Sequence, residues 1–278
     1  MTDLQSQRGY PWRLFFLLLA AAILSALAVL PYVMGLLSEI LNARPMPPLA
    51  LPLPVLVVLQ ATVNFGVAVG LGLLFARQLG LGAPFLENWL YEEPMTGLGR
   101  PLVIGAVVGC VLGIVTYVIA MSPIGEPIRS LPMSETGLPV WKRFLACFYG
   151  AIGEEILTRL FCLSLVLWVL TKATLLMKRW RLGDLPLPAD NDNRRKAVVF
   201  WIANVVVAVL FGLGHLPMAM ALTHVTASLV VLIVSLNAFV GLGFGYLYWR
   251  WCLEAAMVGH FFADIMLHLA GPMVGGRS

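Results

Sequence analysis

The chain has 278 residues, of which 60% are hydrophobic and only 12% are charged, and its mean hydropathy is +0.90. This composition excludes a soluble globular domain and indicates a polytopic membrane protein. The formal net charge of +4 does not indicate a nucleic-acid partner, because the basic residues concentrate beside apolar runs, where lipid headgroups and topology explain them. We therefore expect membrane lipid, and no nucleic acid, as a partner.

Apolar runs follow one another along the chain, each near the length of about 20 residues that a helix needs to cross a bilayer. The runs cover residues 12–31, 54–76, 101–121, 144–170, 197–214, 222–249 and 253–270. They predict an all-α, polytopic membrane helix bundle of seven transmembrane helices, or of eight if the run after Thr223 divides near Asn237. We expect the first run to be a retained span, because no small-residue cleavage site ends it, and the segment after Pro31 to lie in the membrane interface.

Glycine recurs every four residues in the third run, at Gly105, Gly109 and Gly113. Residues four apart lie on the same face of a helix. Glycines on one face allow the backbone of a second membrane helix to approach closely. The spacing therefore predicts a packing surface for a neighbouring helix and not a nucleotide-binding loop.

Basic residues cluster between the fourth and fifth runs. This loop contains three acidic residues and seven basic ones, namely Lys172, Lys178, Arg179, Arg181, Arg194, Arg195 and Lys196. By the positive-inside bias the loop faces the cytoplasm. Counting back through four spans places the N-terminus, with Arg8 and Arg13, on the same side. We therefore expect the N-terminus and the 172–196 loop to be cytoplasmic, in the plasma (inner) membrane if the protein is bacterial.

The fourth run carries three charged residues in the middle of an apolar helix: Glu154, Glu155 and Arg159. Each costs about 2.5–3.5 kcal/mol at the centre of a membrane helix, so such residues usually have a function. Glu155 and Arg159 are four apart and share a helix face, where an ion pair neutralises both charges. Glu154 points elsewhere. It is either a structural carboxylate that the low dielectric keeps protonated or a general base.

Further ionisable residues lie in two later runs. His215 ends the fifth run, four residues after Phe211, and His260 precedes Asp264 by four residues on one face of the last run. Burying ionisable groups on three separate helices without mutual partners is very costly. We therefore expect these side chains to converge on one polar cavity.

The three motifs together resemble those of a known family. E-E-x-x-x-R at Glu154, Glu155 and Arg159, F-x-x-x-H ending at His215 and H-x-x-x-D beginning at His260 are similar, in this order, to the motifs of the CPBP family. That family comprises type II CAAX prenyl endopeptidases and bacteriocin-processing or immunity (Abi-like) proteins. The resemblance implies that residues 1–140 hold N-terminal transmembrane helices and connecting loops, and that residues 141–272 form the catalytic membrane core.

The resemblance also implies an activity, that of an intramembrane endopeptidase acting on a membrane-associated protein or peptide. In this interpretation Glu154 takes a proton from a water that it holds together with His215. His260 and Asp264 bind the oxyanion or orient the substrate carbonyl. Glu155 and Arg159 are the scaffold of the site. A buried carboxylate is a chemically sound base for peptide hydrolysis.

The roles of Asp264 and of a cofactor stay open. Many characterised CAAX-type members carry asparagine at the Asp264 position, so Asp264 either donates to the oxyanion in protonated form or orients His260 as an acceptor. Two histidines and a glutamate suit a divalent metal such as zinc, but H-E-x-x-H is absent, and family members are described both as metalloproteases and as metal-free. His224 and His268 are expected to be structural or near the interface.

Two other functions are compatible with the same residues. One is a transporter or channel with a buried proton relay, because membrane carboxylates often serve that purpose. The other is a non-catalytic immunity or scaffold protein on the same fold. The absence of an evident inverted repeat disfavours the transporter. Prenylated C-a-a-X proteins are the substrates of only some family members, and the sequence identifies no prenyl pocket.

Overall fold

The structure is a computed structural model that describes residues 9–43, 50–95, 97, 99–129, 137–182 and 192–270. Within these ranges the chain forms helices and no strand. Seven helical segments are long and apolar enough to cross a membrane. The prediction of an all-α polytopic bundle is therefore confirmed, and the chain is an integral, multi-pass membrane protein.

The helices are named in chain order. The first half contains α1 (Trp12–Leu36), α2 (Ser38–Ala43), α3 (Leu53–Leu79), α4 (Pro84–Leu90), α5 (Gly99–Met121) and α6 (Glu126–Arg129). Next comes α7, a continuous helix made of the segments Val140–Phe148, Tyr149–Glu154, Ile156–Leu163 and Ser164–Leu182. The second half ends with α8 (Asp192–Gly214), α9 (Leu216–Leu222), α10 (Ala227–Arg250) and α11 (Leu253–Asp264), which continues as a π-helix over Ile265–Ala270. The spans are α1, α3, α5, α7, α8 with α9, α10 and α11.

Two expected boundaries differ from the structure. The run after Thr223 does not divide, because α10 is one uninterrupted helix and the Asn237 amide donates to the Ile233 carbonyl of its own helix at 2.9 Å. The bundle therefore has the lower of the two predicted span counts. The first helix does not end at Pro31, since α1 continues through this proline to Leu36; the interfacial position of the segment after Pro31 stays a prediction. A proline removes only one helix hydrogen bond, and the apolar residues after it favour continuation in the membrane.

Helix α7 lies at the centre of the bundle. It contacts α1, α3, α8, α10 and α11. Ile156, Leu160 and Leu163 of this helix are fully buried against its neighbours. Glu155 and Arg159 of the fourth run are likewise held inside the protein, which is where a membrane helix tolerates charge.

Helix α5 packs on α11 through the predicted glycine face. A side chain at any of the three glycines would collide with the backbone of α11, so the two helices approach as closely as backbones allow. The predicted packing surface is confirmed. The facing residues are Gly105 with Ala255, Gly109 with Gly259, and Gly113 with Ala263. The opposite face of α5 is at least half exposed and β-branched, with Val103, Val107, Val111, Ile114 and Val118 directed outward.

The basic loop is described only at its flanks. Lys172 lies on α7, and Arg194 to Lys196 lie near the start of α8. Residues 183–191 of this loop and Arg8 lie outside the described residues. The cytoplasmic placement of the loop and of the N-terminus stays a prediction.

Candidate active site

Helix α7 departs from α-helical geometry where its charged residues stand. The segments Tyr149–Glu154 and Ile156–Leu163 are π-helical, whereas the sequence predicts one regular helix. In π geometry the backbone bonds from i to i+5, which widens the helix and redirects its side chains, and such segments are frequent at functional sites. The sequence pattern gives no sign of this change, because charged residues within an apolar run fit a regular α-helix equally well.

Glu155 and Arg159 form the expected ion pair. Their Oε2 and Nε atoms are 3.3 Å apart, and both side chains are buried, at 0% and 1% exposure. Arg159 also donates from Nη2 to the Gly241 carbonyl of α10 at 2.9 Å and from Nη1 to the Thr158 hydroxyl. The guanidinium is therefore directed at Glu155 and α10. Removing one partner of a buried pair typically costs about 3–5 kcal/mol.

Two phenylalanine rings enclose this ion pair. The Arg159 guanidinium lies 5.1 Å from the ring centroid of Phe211 and 5.6 Å from that of Phe244. Phe244 also stacks on the His260 ring, with 4.5 Å between centroids. The phenylalanine of F-x-x-x-H thus shields the charge network and supplies a cation–π contact.

His260 connects the glutamates of α7 to Asp264 of α11. Its Nδ1 atom lies 2.8 Å from Glu155 Oε1, a contact that the sequence does not predict. Its Nε2 atom lies 3.8 Å from Glu154 Oε2 and 3.7 Å from Asp264 Oδ1. A carboxylate only accepts hydrogen bonds, so Nδ1 donates its proton to Glu155 and fixes the ring with Nε2 toward the other two carboxylates.

Gly150 is a further site residue, one that sequence reasoning missed. A Cβ atom at this position would collide with Asp264 Oδ2 and lie 3.0 Å from His260 Nε2. Only glycine allows the two side chains of α11 to approach α7 this closely. The available signal was the presence of glycine inside a helix, which costs about 1 kcal/mol relative to alanine and therefore needs a packing reason.

Glu154 and His215 line one cavity of about 240 Å³ between α7 and α8. The Glu154 side chain is 23% exposed, whereas Glu155 is fully buried. His215 stands at the turn after α8, and its Nδ1 lies 2.9 Å from the Phe211 carbonyl. A carbonyl only accepts, so Nδ1 donates, and in the neutral ring Nε2 is left as an acceptor. The two residues share a cavity although they lie at different distances from the ends of their helices.

The structure brings the predicted site residues into two adjoining groups. Glu154 belongs to both the cavity and the charge network, and it joins them. His260 and Asp264 are not among the described residues that line the cavity. His224 is exposed in the loop before α10, and the His268 ring packs on Tyr32 with 6.1 Å between centroids. The last two histidines therefore lie outside the site.

The residues present do not form a metal centre. Within the described ranges no group of three or more His, Cys, Asp or Glu side chains is arranged to hold a metal ion. His260 directs Nδ1 to Glu155 and Nε2 to two further carboxylates, and it does not line the cavity that holds His215. These histidines do not fit the zinc site considered from the sequence, and we derive no catalytic step through a metal.

Comparison with known proteins agrees with the three motifs. The family model described as type II CAAX prenyl endopeptidase Rce1-like matches residues 136–266. This range contains Gly150 and every residue of the charge network and of the cavity described above. No curated protein sequence and no solved structure matches the chain significantly. The resemblance of the motifs to the CPBP family is confirmed, and residues 136–266 of this chain are an Rce1-like domain of the type II CAAX prenyl endopeptidase family, a family of CAAX-type intramembrane proteases.

Proposed function

We propose that the protein is an intramembrane endopeptidase of the glutamate type, with Glu154 as the general base. The observation that carries this proposal is the difference between two adjacent carboxylates. Glu154 is partly exposed in a cavity that also holds His215, while Glu155 is fully buried in an ion pair. One carboxylate is therefore available to a water molecule, and the other holds the helix and the histidine in place.

The proposed reaction begins with a water held between Glu154 and His215. The water donates one hydrogen to Glu154 and the other to His215 Nε2, which is an acceptor in the neutral ring. Glu154 takes the proton as the water oxygen attacks the peptide carbonyl carbon. The carbonyl oxygen becomes an oxyanion. When the tetrahedral intermediate collapses, the C–N bond breaks and Glu154 returns the proton to the leaving nitrogen.

The charge network positions the base. His260 is fixed by Glu155 and faces Glu154 across 3.8 Å, so it orients the catalytic carboxylate from behind the cavity. Asp264 faces the outer nitrogen of the same ring, with its Oδ1 atom 3.7 Å from Nε2. In this proposal Glu155 and Arg159 are the scaffold, because neither faces the cavity.

The cavity walls indicate the class of substrate. Besides its polar residues, the cavity is lined by apolar side chains, among them Leu157 of α7 and Val207 and Leu210 of α8. Leu210 is 52% exposed, on the surface where α8 meets lipid. An apolar entrance beside lipid suits a peptide that is itself membrane-associated. We propose such a peptide or protein as the substrate, with a C-terminal prenylated peptide of the C-a-a-X type as the first candidate.

The placement of the protein belongs to the same proposal. Residues 141–272 act as the catalytic core, and residues 1–140 support it, because α1 and α3 pack on α7 and α5 packs on α11. In this proposal the N-terminus and the 172–196 loop face the cytoplasm, in the plasma (inner) membrane if the protein is bacterial. The positive cluster of that loop supports this orientation.

The test uses purified full-length protein in proteoliposomes. Prenylated and unprenylated peptides are added, cleavage is followed by mass spectrometry, and proton flux is followed with an enclosed pH dye. We expect endoproteolysis that Glu154→Gln abolishes and that Glu92→Gln, at an exposed position, leaves unchanged. Flux without cleavage would favour the transporter, and neither flux nor cleavage would favour the non-catalytic scaffold.

A further inference from the structure

The oxyanion of the proposed reaction needs a hydrogen-bond donor that faces the cavity. An ionised Asp264 accepts hydrogen bonds and does not donate them, and it is not among the described residues that line the cavity. Tyr149 does line it, together with Glu154 and His215. We propose that Tyr149 is a further catalytic residue whose phenol hydroxyl donates a hydrogen bond to the oxyanion. This inference rests on the proposed function.

The π-helical segment is what brings Tyr149 into the site. Tyr149 begins this segment and Glu154 ends it. In a regular α-helix, with about 100° per residue, two residues five apart point in clearly different directions. In π geometry the backbone bonds from i to i+5 and each turn holds more residues, so the two side chains come closer to one face than in an α-helix. The change in helix type therefore places a phenol beside the proposed base.

No contact among the described residues explains why the side chain at position 149 carries a hydroxyl. Among the described residues no hydrogen bond of this hydroxyl is found, and the side chain is half-buried. Its ring packs on Gly153, where a Cβ would lie 2.9 Å from Tyr149 Cε2, and a phenylalanine ring would pack there equally well. The hydroxyl is not among the fully buried polar atoms that lack a partner, so it is open to a ligand or a water molecule. A hydroxyl without a protein partner, on a residue that lines the cavity, is free to bind a ligand there.

The surroundings of Tyr149 suit a neutral donor. The Glu154 carboxylate is close enough to interact electrostatically with the hydroxyl. Among the described residues that line the cavity, the titratable ones are Tyr149, Glu154, Cys162 and His215. In the attack step Glu154 takes the water proton, the C=O bond electrons move to oxygen, and Tyr149 donates to that oxygen while keeping its own proton. The hydrogen bond is released when the C–N bond breaks, so no proton is gained or lost at Tyr149.

The test compares Tyr149→Phe with the unchanged protein in the peptide cleavage assay. We expect kcat to fall by roughly 10²–10³, the usual loss for one oxyanion donor, with KM within a few-fold. Affinity for a phosphonamidate analogue of the peptide should fall by a similar factor, whereas affinity for an uncleavable substrate peptide should not change. Tyr246→Phe removes a hydroxyl from the exposed face of α10 and should leave all three quantities unchanged.

Three results would overturn the inference. The first is a kcat within about three-fold of the unchanged protein. The second is an equal loss of affinity for the analogue and for the substrate peptide, which would indicate binding or folding. The third is a shifted pH–rate profile with unchanged analogue affinity, which would show that Tyr149 acts through Glu154. Glu154→Gln is measured in parallel, and if that variant stays active the proposed function itself fails, whatever Tyr149 does.

Discussion

His260 donates a hydrogen bond from Nδ1 to Glu155 Oε1 over 2.8 Å. Glu155 uses its other oxygen to pair with Arg159 at 3.3 Å. One buried carboxylate thus joins a cation of its own helix to a histidine of α11, and this histidine in turn faces Glu154 at 3.8 Å. The adjacent glutamates therefore have separate roles, and substitutions at the two positions should have different effects on stability.

We expect Glu155→Gln to destabilise the protein and Glu154→Gln to leave its stability nearly unchanged. Loss of the Glu155 charge leaves Arg159 as a buried unpaired cation, which costs about 3–5 kcal/mol. Glu154 is partly exposed in the cavity and makes no comparable ion pair with an arginine. Thermal unfolding of both variants in the same detergent checks this difference. An equal loss of stability in the two variants would contradict the assignment.

A second prediction concerns Gly150. Gly150→Ala should reduce activity by at least about ten-fold, because the new methyl group must displace the Asp264 carboxylate or the His260 ring. The matched control is Gly66→Ala on α3, where a Cβ would meet nothing within 4 Å. That change should leave activity unchanged and raise stability slightly, since alanine is the better helix former. Full activity of Gly150→Ala would show that the close approach is not required.

A third prediction concerns topology and thiol reactivity. Cys252, between α10 and α11, is buried, and burial, with a smaller contribution from the Glu254 charge, raises its pKa to about 12. Its thiolate fraction at pH 8 is therefore about 10⁻⁴, and Cys252 should not react with maleimide at that pH. A cysteine introduced at Asp190, in the basic loop, should react at pH 8 with impermeant maleimide only from the cytoplasmic side. Labelling from outside would reverse the predicted orientation.

The labelling experiment needs one control variant. Cys252→Ala, combined with Asp190→Cys, should give the same labelling at pH 8 as Asp190→Cys alone. A decrease on removal of Cys252 would show that its thiol is reactive, contrary to its burial. The measurement is peptide mapping after labelling of intact cells or of sealed inverted vesicles.

Composition and spacing predict much of the fold and part of the site. Span number follows from run length, because the bilayer fixes how many apolar residues a helix needs. The Gly105, Gly109 and Gly113 face and the Glu155–Arg159 pair follow from the four-residue repeat of a helix. These features are local, and a periodic pattern is sufficient to predict them.

The features that the sequence did not predict depend on contacts between helices or on altered helix geometry. The His260–Glu155 hydrogen bond joins residues 105 positions apart. The π segments at Tyr149 and Ile156 occur in a run whose pattern also fits a regular α-helix, so the sequence does not distinguish the two helix types. The requirement for Gly150 comes from Asp264 on another helix. Tertiary packing determines each of these.

The most direct test of Glu154 as the base is chemical rescue of a truncated side chain. The cleavage rate of Glu154→Ala should be lower by a factor of roughly 10²–10⁴, the usual contribution of a general base. The shortened side chain also leaves space for a small carboxylate in the cavity. Added formate should restore activity in proportion to its concentration. Glu155→Ala should not respond, because Glu155 is fully buried in its ion pair. Cleavage by Glu154→Ala at the unchanged rate without formate, or rescue of Glu155→Ala in its place, would contradict the account.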